Sequence, residues 1–287
     1  MRGCEGWFKG FGIWDLGFMR VIDRGGGTPV VVIPGVQGRW EWMTPAIDAL
    51  AERCRVITFS LADEPSCGGR FDESRGFWCY VDQVREALDA AGVRDAAICG
   101  VSYGGLIAAA FAARHPDRTS SLVLVSAPPP SWAPNARVRF YLRAPRLLTP
   151  LFLLASLRIY REIAAANDGA ARAVVAAARH VWRCATHMFS PSRMARRVRL
   201  LESVELRAEI SRVAQPTLVI TGERSLDRIV RVQATREYVQ LLPHASRATI
   251  PRTGHLGLVT RPEEFAGLVA AFADRAAHES ETRRSVG

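Results

Sequence analysis

One short segment constrains the fold of this chain more than any other: Gly100-Val101-Ser102-Tyr103-Gly104-Gly105. It follows an apolar run, Ala96–Cys99, that is typical of a buried strand, and it precedes an alanine-rich run that predicts a helix. Glycines two residues before and two after Ser102 let a strand and a helix approach without a Cβ clash. The segment therefore predicts a sharp strand-to-helix turn that holds the Ser102 hydroxyl clear of both elements, as a nucleophile requires.

A Gly-x-Ser-x-Gly match alone is weak evidence, so a general base is needed as well, and His255 is the best placed of the six histidines. It lies between Gly254 and Leu256 in a glycine-flanked segment that follows a predicted short strand. A loop histidine in this position reaches across to a serine at the same edge of the sheet. Its pKa near neutrality allows it to take the serine proton and return it to a leaving group.

A buried carboxylate must hold the histidine in its working tautomer, and Asp227 is the preferred candidate. It follows a predicted strand with a glycine turn and precedes an apolar pair, Ile229-Val230. Glu223 lies closer to the end of that strand and is the alternative acid. A purely structural ion pair with Arg224 or Arg228 is the other interpretation of Asp227.

The segment Pro34-Gly35-Val36-Gln37-Gly38 follows a β-branched run that predicts a buried strand. Acyl transfer requires two N–H donors where negative charge develops on a carbonyl oxygen. We expect these to be the backbone N–H groups of Val36 and Tyr103. Gly35 and Trp40 are expected to contact substrate, although Trp40 and Trp42 fit equally well as residues that seat the first helix.

With its three candidate residues in the order Ser102, Asp227, His255, the chain resembles the α/β-hydrolase superfamily over about residues 20 to 277. One departure is Pro34, where many members carry histidine before the glycine. The resemblance implies a serine hydrolase that forms an acyl-enzyme. The serine at position 102 counts against the dehalogenase and epoxide-hydrolase branches, which use aspartate there.

Strands and helices alternate along the chain, which predicts an α/β fold with a mostly parallel sheet flanked by helices. The hydrolase core is predicted at residues 1–130 and 216–287, with a helical cap insertion at 131–215. Predicted strands are Met19–Asp23, Val30–Ile33, Arg55–Ser60, Ala96–Cys99, Ser121–Ser126, Thr217–Thr221 and Arg247–Ile250. Predicted helices of the core are Met43–Arg53, Phe77–Ala91, Leu106–Arg114, Val232–Leu242 and Pro262–Ala277.

The cap carries the whole net charge of the protein. It holds 15 arginines and five acidic residues, and its net charge of +10 equals that of the full chain. Three interpretations of this charge stay open. It attracts anionic substrates, it makes weak contact with an anionic membrane surface, or it belongs to a solvent-exposed face and reflects only an arginine-rich composition. The apolar stretch Leu147–Leu157 is too short to span a bilayer and predicts a cap helix that faces an apolar substrate.

Other features narrow the class of protein. The six cysteines show no metal-ligand spacing and are expected to be free thiols, and we expect no metal and no cofactor. No nucleic-acid-binding module is visible. Residues 1–20 lack a cleavage site after an apolar core, so no signal peptide is predicted and a cytoplasmic location is expected.

The sequence therefore predicts a carboxylesterase- or lipase-like serine hydrolase acting on a small to medium apolar ester or related acyl substrate. A hydrolase of carbon–carbon bonds and a non-catalytic binding protein of the same fold are the alternatives. Substrate identity, acyl-chain length and oligomeric state stay open.

Overall fold

A computed structural model of the protein describes residues 11–15 and 19–286. The strands are β1 (Phe11–Asp15), β2 (Arg20–Arg24), β3 (Pro29–Ile33), β4 (Arg55–Phe59), β5 (Ala96–Val101), β6 (Thr119–Val125), β7 (Thr217–Thr221) and β8 (Ala245–Thr249). The helices are α1 (Thr44–Ala51), α2 (Trp78–Ala90), α3 (Tyr103–Arg114), α4 (Ala136–Arg143), α5 (Thr149–Ser156), α6 (Tyr160–Ala166), α7 (Ala170–Thr186), α8 (Pro191–Glu202), α9 (Arg207–Ile210), α10 (Arg236–Leu241), α11 (Gly257–Thr260) and α12 (Pro262–Val286).

All eight strands form one sheet in the order β1-β2-β4-β3-β5-β6-β7-β8. Strands β3 to β8 run parallel to one another, whereas β2 pairs antiparallel with β4 and β1 pairs antiparallel with β2 at one edge. The carboxyl ends of the parallel strands therefore meet at one edge of the sheet, where the loops after β3, β5, β7 and β8 come together. The α/β-hydrolase architecture predicted from the sequence is confirmed.

Helices cover both faces of the sheet, which explains why the central strands are apolar throughout. Val31 and Ile33 of β3 point into a core shared with α2 and α3, whereas Val30 and Val32 point into a second core shared with α1 and α12. The alternation follows from the two-residue period of a strand. Every residue of β5, which lies near the middle of the sheet, is buried.

The segment between β6 and β7 is helical. Helices α4 to α9 occupy this segment, and no strand interrupts them in the described residues. The segment coincides with the predicted cap at 131–215, whose status as a separate domain stays a prediction. Pro150 is accommodated because it lies in the first turn of α5, where its missing N–H has no intrahelical partner.

Two further observations bear on the sequence predictions. Strand β1 lies in an aromatic and glycine-rich stretch for which no strand was predicted. No helix within the described residues is long and apolar enough to cross a membrane.

Candidate active site

Ser102 lies in the turn that joins β5 to α3, at the edge of the sheet where the parallel strands end. Its φ of +52° is in the left-handed region, which is uncommon for a residue with a side chain. A Cβ atom at position 100 would clash with the backbone of Gly104, and one at 104 would clash with the carbonyl oxygens of Ile33 and Pro34. The flanking glycines are therefore required for the tight turn, and the strained serine conformation is held by its surroundings.

The structure brings His255 to this serine across a long separation in sequence. The Nε2 atom of the imidazole lies 3.1 Å from Oγ of Ser102, within hydrogen-bond distance. His255 is 8% exposed, so the pair is largely shielded from water. This contact is the arrangement by which a histidine accepts a serine proton.

Asp227 lies behind the same imidazole, with 3.5 Å between its Oδ2 and Nδ1 of His255. Oδ1 accepts hydrogen bonds of 2.9 Å from the backbone N–H groups of Ile229 and Val230. Burial alone would raise the pKa of Asp227, but His255 and these two N–H groups lower it below its ordinary value. The carboxylate therefore remains ionised beside the imidazole.

The alternative acid, Glu223, is used elsewhere. Its carboxylate accepts a 2.7 Å hydrogen bond from the backbone N–H of Arg252, in the loop that leads to the histidine. Neither Arg224 nor Arg228 forms an ion pair with Asp227 among the described residues. The geometry favours Asp227 over Glu223 as partner of His255.

The loop after β3 lies against Ser102. A Cβ atom added to Gly35 would lie 3.5 Å from the Ser102 Cβ, an ordinary van der Waals distance, so this loop packs directly against the serine. The backbone N–H groups of Val36 and Tyr103 donate to no other group in the described part of the chain. Both donors are free for an oxyanion, and their assignment stays a prediction.

Sequence reasoning missed Arg197, a fully buried residue of α8 that contacts both predicted oxyanion donors, Val36 and Tyr103. Its Nη1 donates to the carbonyl oxygen of Val36 at 2.7 Å. Its own carbonyl oxygen accepts a hydrogen bond from the Tyr103 hydroxyl at 3.2 Å. Arg197 thereby orders the loop in a chain whose Pro34 offers no side-chain donor.

The charge of Arg197 is balanced by two carboxylates from the loop after β4. Its Nη2 lies 2.5 Å from Asp63 and 2.6 Å from Glu64, and both carboxylates are fully buried with it. Arg196 and Arg193 complete the cluster at 3.3 Å from Asp63 and 3.1 Å from Glu64. A buried cluster of this kind is costly to break, because removal of one partner leaves a charge without compensation.

Glu162 is a second residue that sequence reasoning missed. It is 3% exposed, and it belongs to α6 of the helical insertion. Its Oε1 accepts hydrogen bonds from the backbone N–H groups of Gly254, at 2.8 Å, and Leu256. These two N–H groups flank His255, so one carboxylate of the insertion holds the backbone on both sides of the histidine.

Burial raises the pKa of Glu162 from 4.5 to about 7, although its two backbone N–H bonds and the nearby His255 oppose the shift. The sequence gives no sign of this role, because a glutamate in an alanine-rich helix looks the same whether it is buried or exposed to solvent.

The two tryptophans after the glycine loop take different positions. Trp40 packs against the core formed with α1 and α12, and the Arg24 guanidinium lies 5.3 Å from its ring centroid. Trp42 donates from Nε1 to the carbonyl oxygen of His187 at 2.8 Å and makes edge contacts with His180 and Phe189. Trp42 thus joins the core to the insertion, and the role of Trp40 in substrate binding stays a prediction.

The described residues contain no group of three or more potential metal ligands. Cys54, Cys67, Cys79, Cys99 and Cys184 are free thiols in the structure, and Cys4 lies outside the described residues. Burial raises the pKa of the Cys99 thiol to about 12, so the thiol stays protonated near the turn that carries Ser102 and does not compete as a nucleophile.

Comparison with known proteins places the chain in one family. The family model of the alpha/beta hydrolase fold matches residues 28–262, and the chain belongs to that family. A 2-hydroxymuconate semialdehyde hydrolase of Pseudomonas putida is 28% identical over 278 residues, covering 87% of this chain and 88% of the relative. A pimeloyl-[acyl-carrier protein] methyl ester esterase of Nitrosomonas europaea is 26% identical, covering 86% and 96%.

Among solved structures, an esterase from Exiguobacterium antarcticum is similar in fold. Its TM-score is 0.74 at 16% identity, and the match covers 93% of this chain and all of the other.

Proposed function

We propose that this protein is a serine hydrolase that cleaves carboxylic esters through an acyl-enzyme. The observation that carries the proposal is the 3.1 Å contact between Ser102 Oγ and His255 Nε2, with Asp227 behind the imidazole. The similarity to a methyl ester esterase, over 86% of this chain, supports the same class of reaction.

The reaction follows from these positions. His255 removes the Ser102 proton as Oγ attacks the ester carbonyl carbon, and the resulting oxyanion is placed near the N–H groups of Val36 and Tyr103. When the ester C–O bond breaks, the imidazolium gives its proton to the departing alcohol. Water then attacks the acyl-enzyme with His255 as base, and the carboxylic acid leaves. Asp227 stabilises the imidazolium at both steps.

The 3.5 Å separation between His255 and Asp227 is longer than an ordinary hydrogen bond. Catalytic hydrogen bonds are often long without substrate and shorten in the reacting complex. Oδ2 of Asp227 and Nδ1 of His255 have no other hydrogen-bond partner within the described residues, so a small movement joins them.

The first test is labelling by a fluorophosphonate, followed by hydrolysis of p-nitrophenyl esters of increasing acyl length. We expect label on Ser102 and turnover of short to medium esters, and we expect Ser102→Ala to abolish both while the far-ultraviolet circular dichroism spectrum is unchanged. A wild-type protein that neither labels nor turns over any ester would contradict the proposal and favour a binding protein of this fold.

Hydrolysis of a carbon–carbon bond is the second candidate, favoured by the similarity to the 2-hydroxymuconate semialdehyde hydrolase. A diketone panel assayed beside the esters separates the two reactions. Diketone cleavage at a much higher kcat/KM than any ester would assign the site to carbon–carbon cleavage.

A further inference from the structure

Exposed apolar side chains are concentrated on one part of the molecule. Of 14 large apolar side chains that are exposed in the described residues, 12 lie between positions 140 and 188. We call these 12 residues the cap surface: Phe140, Leu147, Leu151, Leu153, Leu154, Leu157, Tyr160, Val174, Val175, Val181, Trp182 and Met188. Such a concentration is unusual on a soluble surface and indicates a surface that contacts something.

Helix geometry gathers the apolar residues of α7 on one side. Val174, Val181 and Trp182 are spaced by seven and eight residues, so they share one side of the helix. The fully buried Ala177, three residues after Val174 and four before Val181, marks the border of this side with the body of the molecule. Trp182 is 72% exposed and Leu147 is 80% exposed, although each is among the largest apolar side chains of the insertion. The leucines of the predicted substrate-facing stretch are thus largely at the surface.

Arginines accompany these side chains. Residues 136–188 contain nine arginines and two acids, and the two acids are Glu162, which is buried, and Asp168, which pairs with Arg252. No carboxylate of the described part of the chain forms an ion pair with any of the nine, although many other arginines of the protein are paired.

Four arginines also line one cavity of about 300 Å³, together with Leu226 and Ser225. They are Arg137, Arg158, Arg161 and Arg228, and no acidic residue lines the cavity. The Nε atom of Arg158 is buried there without a hydrogen-bond partner. Like charges brought together in this way are stabilised by an anion.

We propose that the cap surface binds the face of an anionic phospholipid bilayer. Apolar side chains enter the headgroup boundary while the flanking arginines, with the four-arginine cavity among them, contact lipid phosphates. A second copy of the chain fits this surface less well, because a symmetric dimer through it would bring the same unpaired arginines of both copies together. The proposal does not depend on the reaction that the site performs.

The test is cosedimentation of the full-length protein with vesicles of phosphatidylcholine alone and of phosphatidylcholine mixed equally with phosphatidylglycerol. We expect binding to the mixed vesicles, weak or no binding to the neutral ones, and loss of binding between about 0.01 M and 1 M salt, where the Debye length falls from about 30 to about 3 Å. Equal binding to both vesicles, or none to either, would overturn the proposal.

Two double variants assign the binding to the cap surface. L154S/L157S removes exposed apolar contacts and is expected to weaken binding. R158Q/R161Q removes two positive charges and is expected to weaken binding about tenfold or more. The matched controls are V239S and R247Q, which change an exposed apolar side chain and an exposed arginine outside the insertion. Controls that lose binding as strongly as the cap variants would overturn the assignment.

Analytical ultracentrifugation of the same proteins tests whether a second copy of the chain covers the cap surface instead. We expect the wild type and L154S/L157S to sediment alike without lipid. A wild-type dimer that L154S/L157S converts to monomer would show that a second copy covers this surface, and would overturn the membrane proposal.

Discussion

At the scale of single residues, the site depends on a few atoms that are held by backbone. Ser102 is fixed by its turn, and Asp227 by two backbone N–H groups from its own loop. The ionised carboxylate acts on the imidazole, so its charge and its acceptor atoms both matter. Glu223, only four residues away, accepts from Arg252 and supports the loop without contacting the histidine ring.

The two acids are therefore expected to respond differently to amide substitution. Asp227→Asn removes the charge beside His255 and should lower kcat for an ester by about 10³- to 10⁴-fold. Glu223→Gln keeps an oxygen acceptor for the Arg252 N–H and should change kcat by less than about fivefold. Steady-state kinetics normalised by fluorophosphonate titration measures both. The reverse pattern would assign the acid to Glu223.

At the scale of elements, the predicted oxyanion loop between β3 and α1 is held by α8, a helix of the other half of the chain. The Arg197 side chain of α8 fills the space beside Gly38, where a Cβ atom would meet the guanidinium, and it donates to Val36. The ion cluster thus supports this loop together with the loop's own turn, in which the Gly38 N–H donates to the Gly35 carbonyl oxygen at 2.9 Å.

Loss of that anchor should affect both stability and rate. Arg197→Met leaves Asp63 and Glu64 buried with less compensation, and we expect a loss of about 3 to 5 kcal/mol in the free energy of unfolding. We also expect kcat to fall by about 10- to 100-fold with a smaller change in KM, because the loss concerns the oxyanion. Urea denaturation and kinetics measure the two effects.

Arg193→Met is the matched control, because Arg193 pairs with the same Glu64 from a partly exposed position and does not contact the oxyanion loop. It should cost about 1 kcal/mol or less and leave kcat within about twofold. If Arg197→Met matches this control in kcat, the oxyanion loop does not depend on Arg197.

The sequence predicts the elements of this site better than it predicts their support. β3 and β5 are recognisable because strands buried on both faces are apolar at every position, and the glycines around Ser102 mark the turn. Arg197 and Glu162 carry no comparable signal, since each acts on a loop about 90 to 160 residues away in sequence. β1 was missed because pairing with β2 overrides a glycine- and aromatic-rich composition.

At the scale of the whole molecule, the insertion and the core are joined through buried charge. Glu162 reaches from α6 to the histidine loop, and Arg197 reaches from α8 to the oxyanion loop. Both halves of the proposed machinery therefore contact the segment between β6 and β7. The insertion thus contributes buried hydrogen bonds to two loops of the candidate site.

Glu162 makes the stability of the molecule depend on pH. Because folding raises its pKa from 4.5 to about 7, its contribution to stability is full below about pH 4.5 and is lost as the pH rises to about 7. The loss is roughly 3 kcal/mol at most. Glu162→Gln keeps an acceptor for both N–H groups and does not titrate, so its stability should rise relative to wild type by up to that amount over this range.

Urea denaturation of both proteins from pH 4.5 to pH 8 measures the difference. Glu202→Gln, which changes an exposed acid of α8, is the control and should parallel the wild type. A Glu162→Gln variant whose stability parallels the wild type at every pH would show that the carboxyl group does not titrate in this range.

The carboxylate that spans from α6 to the backbone on both sides of His255 also limits how the protein can be re-engineered. Exchange of the segment between β6 and β7 for that of a relative would remove the carboxylate that accepts from the backbone on both sides of His255. A chimera would need an acid or amide grafted at the equivalent place, together with a basic residue for Val36. Without both residues, the loops that carry His255 and Val36 would lose the hydrogen bonds that now hold them in place.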